Sequence, residues 1–79
     1  MALGWIKLNQ NHYEIARELY LRAKRYEPAN PQIRKQLGFV YQGIGQSGLA
    51  IEEFQTYLDL FPNAPDRSSI KNQIQQLSR

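Results

Sequence analysis

The sequence contains no cysteine and a single histidine, His12. Without cysteine there can be no disulfide bridge and no thiolate zinc site, and the redox compartment is left open. One histidine cannot build a histidine metal cluster. His12 follows Asn9 and Asn11, between two expected helices, and reads as a surface turn residue. Glu52-Glu53 and Asp59 fall together on one stretch, but no histidine or cysteine accompanies them to form a catalytic or metal-binding constellation. The glycines of QGIGQSG lack the Lys-Ser/Thr and the preceding strand of a phosphate loop, which leaves them as turn glycines. No enzymatic activity, cofactor or metal is therefore expected. No apolar run approaches the ~18 residues needed to cross a bilayer, so no membrane span is expected. The opening MALGWIKLNQ lacks the basic segment and long apolar stretch of a signal peptide. A cytoplasmic setting is the expectation, whether the chain stands alone or is a piece of a longer one.

What remains is a chain of 79 residues, 42% hydrophobic and 22% charged, which is the balance of one small folded domain with a modest core. Its net charge of +3 favours solubility more than any particular partner. Two Pro/Asn-rich breaks punctuate it, YEPANPQ at 26–32 and LFPNAPD at 60–66. Between them the apolar residues recur at helical spacing, with no strand alternation. Ile15, Ala16, Leu19, Tyr20 and Ala23 form one such set. Leu37, Phe39, Val40, Tyr41 and Ile44 form a second, and Leu49, Ala50, Phe54, Tyr57 and Leu58 a third. Ile70, Ile74 and Leu77 mark a more polar last helix. Asn30 before Pro31 is a helix start, with a capping side chain and a proline where no N–H is needed. Asn11 with Glu14 resembles a capping box, and Ser47 after a glycine turn reads as another N-cap. These signals predict five helices, about 1–9, 13–26, 31–43, 47–60 and 66–78, with antiparallel neighbours joined by short loops.

The chain also repeats itself. Leu3-Gly4-Trp5 and Leu37-Gly38-Phe39 stand 34 residues apart, as do Pro28 and Pro62. The same interval brings Ala16 to Ala50, Tyr20 to Phe54 and Asn11 to Gly45. This pattern resembles the tetratricopeptide repeat (TPR), a helix pair of 34-residue period with the signature W-x2-L-G-x2-Y, A-x3-F, P. Leu37-Gly38-x2-Tyr41, Ala50-x3-Phe54 and Pro62 carry it nearly whole, with Arg34 in place of the leading Trp. The earlier unit keeps Leu3-Gly4, Ala16-x3-Tyr20 and Pro28 but has Lys7 in place of the Tyr. The resemblance implies an all-α, right-handed superhelical solenoid. Residues 1–30 form a partial first unit, 31–64 a second, and 65–79 a capping helix. Gly38 and Ala50 are small where two helices cross, and Leu37, Tyr41, Phe54 and Leu58 fill the space around them.

By the same resemblance the function is a scaffold that binds a protein or peptide partner in a concave groove lined by the first helix of each pair. The residues implied are Trp5, Leu8 and Asn9 in the first unit and Gln32, Lys35, Gln36, Phe39 and Gln42 in the second. Asp66, Ser69, Ile70 and Gln73 follow from the cap helix. Trp5 and Phe39 share a repeat position and are expected to stack along the groove as aromatic anchors, or else to fill core between repeats. The clamp by which some TPR domains grip a C-terminal carboxylate is absent, because Met1, Trp5, Gln36, Asp66 and Ile70 stand at its positions. Nucleic acid is the disfavoured partner. Arg17, Arg22, Lys24, Arg25, Arg34 and Lys35 are interleaved with Glu14, Glu18 and Glu27, a pattern of salt-bridged surface. Self-association is the alternative function, since Leu3, Trp5, Ile6 and Leu8 make an apolar edge in a chain with fewer than the roughly three repeats that stabilise a solenoid.

Overall fold

In a computed structural model the described residues form four helices: α1 (Ala2–Tyr26), α2 (Pro31–Ile44), α3 (Ser47–Leu60) and α4 (Arg67–Leu77). The structure describes the backbone of residues 2–79 and the side chains of residues 12–79. The last three helices lie close to their expected bounds. The first two do not, because the predicted helices at 1–9 and 13–26 are one uninterrupted element. The supposed capping box of Asn11 and Glu14 lies inside it.

A comparison of the two turns explains the difference. Between α2 and α3, Gly45 adopts φ 92°, a left-handed backbone open to glycine at no steric cost. Its N–H donates to the Gln42 carbonyl at 3.1 Å, and the Gln46 N–H donates to the Tyr41 carbonyl at 2.8 Å. This paired closure reverses the chain in two residues. At the matching point of the first unit stands Asn11, with neither glycine nor proline nearby from Asn9 to His12. Asparagine enters that backbone region more readily than other side-chain-bearing residues, but at a cost that glycine does not bear, and each residue that stays helical adds a hydrogen bond. The helix runs on.

The start of α2 follows the sequence closely. Asn30 Oδ1 accepts the Gln32 N–H at 3.0 Å, and Pro31 occupies the first helical position. Ser47 does not act as expected. It is the first residue of α3, and the N-cap is Gln46, whose side chain makes no capping bond.

Neighbours along the chain pack in sequence, α1 on α2, α2 on α3 and α3 on α4. The core joins Leu37, Phe54, Tyr57 and Ile70, all fully buried, with Ile33, Tyr41, Ala50 and Ala64. Its tightest point is the crossing of α2 with α3. A Cβ added to Gly38 would stand 2.5 Å from the Phe54 ring, so the ring lies directly on backbone. Tyr20, Leu21 and Ala23 bring one side of α1 onto this core, while Ile74 and Leu77 support Ile70 from α4. Farther back along α1 the Tyr13 ring rests on Gly43, in the last turn of α2. Ile15 and Leu19 of α1 are each 59% exposed.

Gly38→Ala should lower the free energy of unfolding by about 1–3 kcal/mol, because the buried Phe54 ring has nowhere to retreat. Gly48→Ala, where an added Cβ meets open space within α3, should raise it by roughly 0.5–1 kcal/mol. Urea titration of both variants checks the contrast.

Candidate functional site

Residues 35, 39 and 42 are spaced to share one face of α2, as residues 66 to 73 are spaced along the start of α4. The two helices make no close backbone approach. Side chains bridge them instead. Lys35 Nζ donates to Asp66 Oδ2 at 3.0 Å, and seven residues on, Gln42 Nε2 donates to Gln73 Oε1 at 3.2 Å. Phe39 sits between these two bridges, with 42% of its surface exposed. Its ring meets Phe54 edge-on at 5.1 Å between centroids, which braces it from behind. The result is a shallow face with an apolar centre and tethered polar flanks.

The Lys35–Asp66 bridge continues into the core. Asp66 Oδ1 accepts the hydroxyl of buried Tyr57 at 2.6 Å, and the Lys35 ammonium lies 5.3 Å from the centre of the Tyr57 ring. The hydrogen bonds from Tyr57 and Lys35 hold the Asp66 carboxyl below its ordinary range against the opposing effect of burial. Burial first, then the hydrogen bond and charge of Asp66, push the Tyr57 hydroxyl up to about 12.

A second polar cluster lies behind the face. Glu53 of α3 is 6% exposed. Its Oε2 accepts from Lys24 Nζ of α1 at 2.9 Å, and its Oε1 accepts from Arg34 Nη1 of α2 at 3.1 Å. Arg34 also donates through Nε and Nη2 to the Pro28 carbonyl, at 3.3 and 3.1 Å. One carboxylate thus ties three helices and the first loop, and its two cations offset the cost of taking it out of water.

The expected groove residues fare unequally. The end groups of Lys35 and Gln42 are committed to α4. Gln42 Oε1 is buried with no partner. Gln36 is exposed, as are Gln32 and Ser69, whereas Ile70 is buried in the core. The side chains of Trp5, Leu8 and Asn9 lie outside the described residues. Of the six basic residues Arg17, Arg22, Lys24, Arg25, Arg34 and Lys35, three join helices: Lys24, Arg34 and Lys35. The pairing expected of Glu14 and Glu18 with Arg17 and Arg22 is replaced by a 3.8 Å contact between adjacent Arg17 and Glu18. That pair is exposed and contributes little. Among the described residues no group of three or more His, Cys, Asp or Glu could hold a metal, and no helix is long and apolar enough to cross a membrane.

A family model described as Tetratricopeptide repeat matches residues 3–75. The chain belongs to the tetratricopeptide repeat family. No curated protein and no solved structure matches it. TPR domains are generally protein–protein interaction modules and typically non-catalytic. In this TPR chain the signature residues Leu37, Gly38, Tyr41, Ala50 and Phe54 build the α2–α3 crossing, and Pro62 lies in the loop after α3. Arg34, at the position of the usual Trp, reaches Glu53 and Pro28 instead of filling space with a ring. Sequence reading weighed Glu53 only as a catalytic or metal-binding candidate and missed its role in joining helices, because its partners lie 29 and 19 residues away on other helices.

Glu53→Ala should cost about 3 kcal/mol of unfolding free energy by stranding two cations. A triple variant with Met at 24 and 34 and Leu at 53 should recover most of that loss, and guanidinium titration measures both. The pH dependence follows from Asp66 and Tyr57. A lowered carboxyl pKa gives stability that is present above the unfolded value and lost as pH falls through the folded one. A raised hydroxyl pKa gives stability that is present below the unfolded value of about 10 and lost as pH rises toward about 12. Stability should therefore fall at both extremes, and Tyr57→Phe should flatten the alkaline loss.

Proposed function

We propose that this TPR domain docks a peptide segment of a partner protein on the face shared by α2 and α4, the concave side of a right-handed superhelical array. The observation that carries the reading is Phe39. A large aromatic ring stays 42% exposed although its edge is braced on the buried Phe54, so it is presented rigidly to whatever docks there. An aromatic anchor that needs no reordering loses little entropy on binding. Exposed Gln36, one turn before it, offers an amide to a peptide backbone. Lys35 and Gln42 act by fixing the flanks, since their bridges to Asp66 and Gln73 set the spacing of the two helices. In this reading α4 caps the array, and Trp5, Leu8 and Asn9 extend the face only where the first helix is folded back.

A second reading, self-association, is favoured by a different observation, the exposed Ile15 and Leu19 on α1. It does not compete for the same surface.

Peptides selected from a displayed random library against the purified domain provide the test. They should shift the amide resonances of Gln36 and Phe39, and Phe39→Ala should weaken them about tenfold or more. Leu60→Ala, an exposed apolar residue elsewhere, should leave them unchanged. Peptides that bind Phe39→Ala as tightly as the parent chain would contradict the reading.

A further inference from the structure

The exposed face of α1 is a trough. His12, Ile15, Ala16 and Leu19 line an open apolar depression, on the part of α1 where α2 is running out. The chain itself shows what fits such a face. In the later unit, the surface of α3 around Ala50 and Phe54 is covered by α2, with Gly38 pressed against the Phe54 ring. At the repeat interval, Ala16 and Tyr20 stand for Ala50 and Phe54, and Leu3-Gly4 stands for Leu37-Gly38. The sequence thus writes a cover for α1, and writes it into residues 2–11 of the same helix. Within one straight helix that cover cannot reach its seat. Gly4 and Tyr20 are separated by sixteen residues, about 24 Å along the axis.

We propose that a second copy of the chain supplies the cover. Two α1 helices lie antiparallel, and the first three turns of each occupy the trough of the other, in a symmetric exchange of identical segments. The register comes from the crossing observed in the later unit. Setting Gly4 of one copy over Tyr20 of the other brings Leu8 to Ala16 and Trp5 to Leu19. The two-fold axis then passes through residue 12, so the two His12 side chains meet at the centre. Both halves of the contact are apolar, and each copy completes the helix pair that its own unbroken α1 leaves open. The opening for the exchange is the missing turn, with Asn11 inside α1 where the later unit has Gly45. This deepens the self-association reading and is independent of the α2–α4 face.

The register allows a sharp test because the chain has no cysteine of its own. Light scattering on the purified chain should give twice the 9.2 kDa monomer mass. His12→Cys should then form an intermolecular disulfide almost completely under mild oxidation, while Ser78→Cys should not. Leu19→Glu should halve the mass with helical content retained, and Asn11→Gly, which restores the turn, should shift the population toward monomer. A monomeric parent chain overturns both self-association and the exchange. A dimer in which Cys at position 12 fails to cross-link keeps self-association and overturns the exchange.

Discussion

A helix hairpin closed in two residues needs a residue that can take a left-handed backbone, and the architecture of this chain turns on where such a residue is found. Gly45 meets the need with φ 92°, and α2 and α3 fold against each other. Asn11, at the same phase of the repeat, bears a side chain and lies in a run without glycine or proline, and the helix passes through it. Everything distinctive follows from this asymmetry. There is one complete helix pair instead of two, a long first helix that outruns its neighbour, and an apolar trough on that helix.

Where the hairpin does form, packing and polar pairing divide the work. Gly38 lets the Phe54 ring touch backbone, which fixes how closely α2 and α3 cross. Glu53 then fixes α1 against that pair, because a buried carboxylate held by Lys24 and Arg34 tolerates little displacement. The third tether, Asp66 with Tyr57 and Lys35, positions α4. These polar contacts lie at the borders between helices and leave the middle of each apolar. The same arrangement sets Phe39 facing outward on a braced support and ties three cations, Lys24, Arg34 and Lys35, into the joints between helices.

Much of this was legible in the sequence. The bounds of α2, α3 and α4, the Asn30 cap and the small residues at the crossing follow from local chemistry and the repeat interval, which act between near neighbours or identical units. The misses share a cause. Ser47 looked like a cap because it is a good capping residue, yet the tight glycine closure placed the helix start one residue earlier than its side chain could serve. The polar contacts of Glu53, Lys35 and Gln42 join residues 19 to 31 apart, spacings set by how helices pack and carried by no local pattern. The break assumed near residue 10 came from the capping-box pattern of Asn11 and Glu14, which says where a helix can start but not that the preceding one must stop.

The central claim is that Asn11 is helical and α1 is one element. Amide-to-amide nuclear Overhauser effects and Cα secondary shifts through residues 8–14 test it directly. An unbroken run of sequential amide contacts with helical shifts at Asn9, Gln10, Asn11 and His12 is the predicted result. A gap in that run, with a left-handed backbone at Asn11 and contacts from residue 4 to residue 20 within one chain, would contradict it.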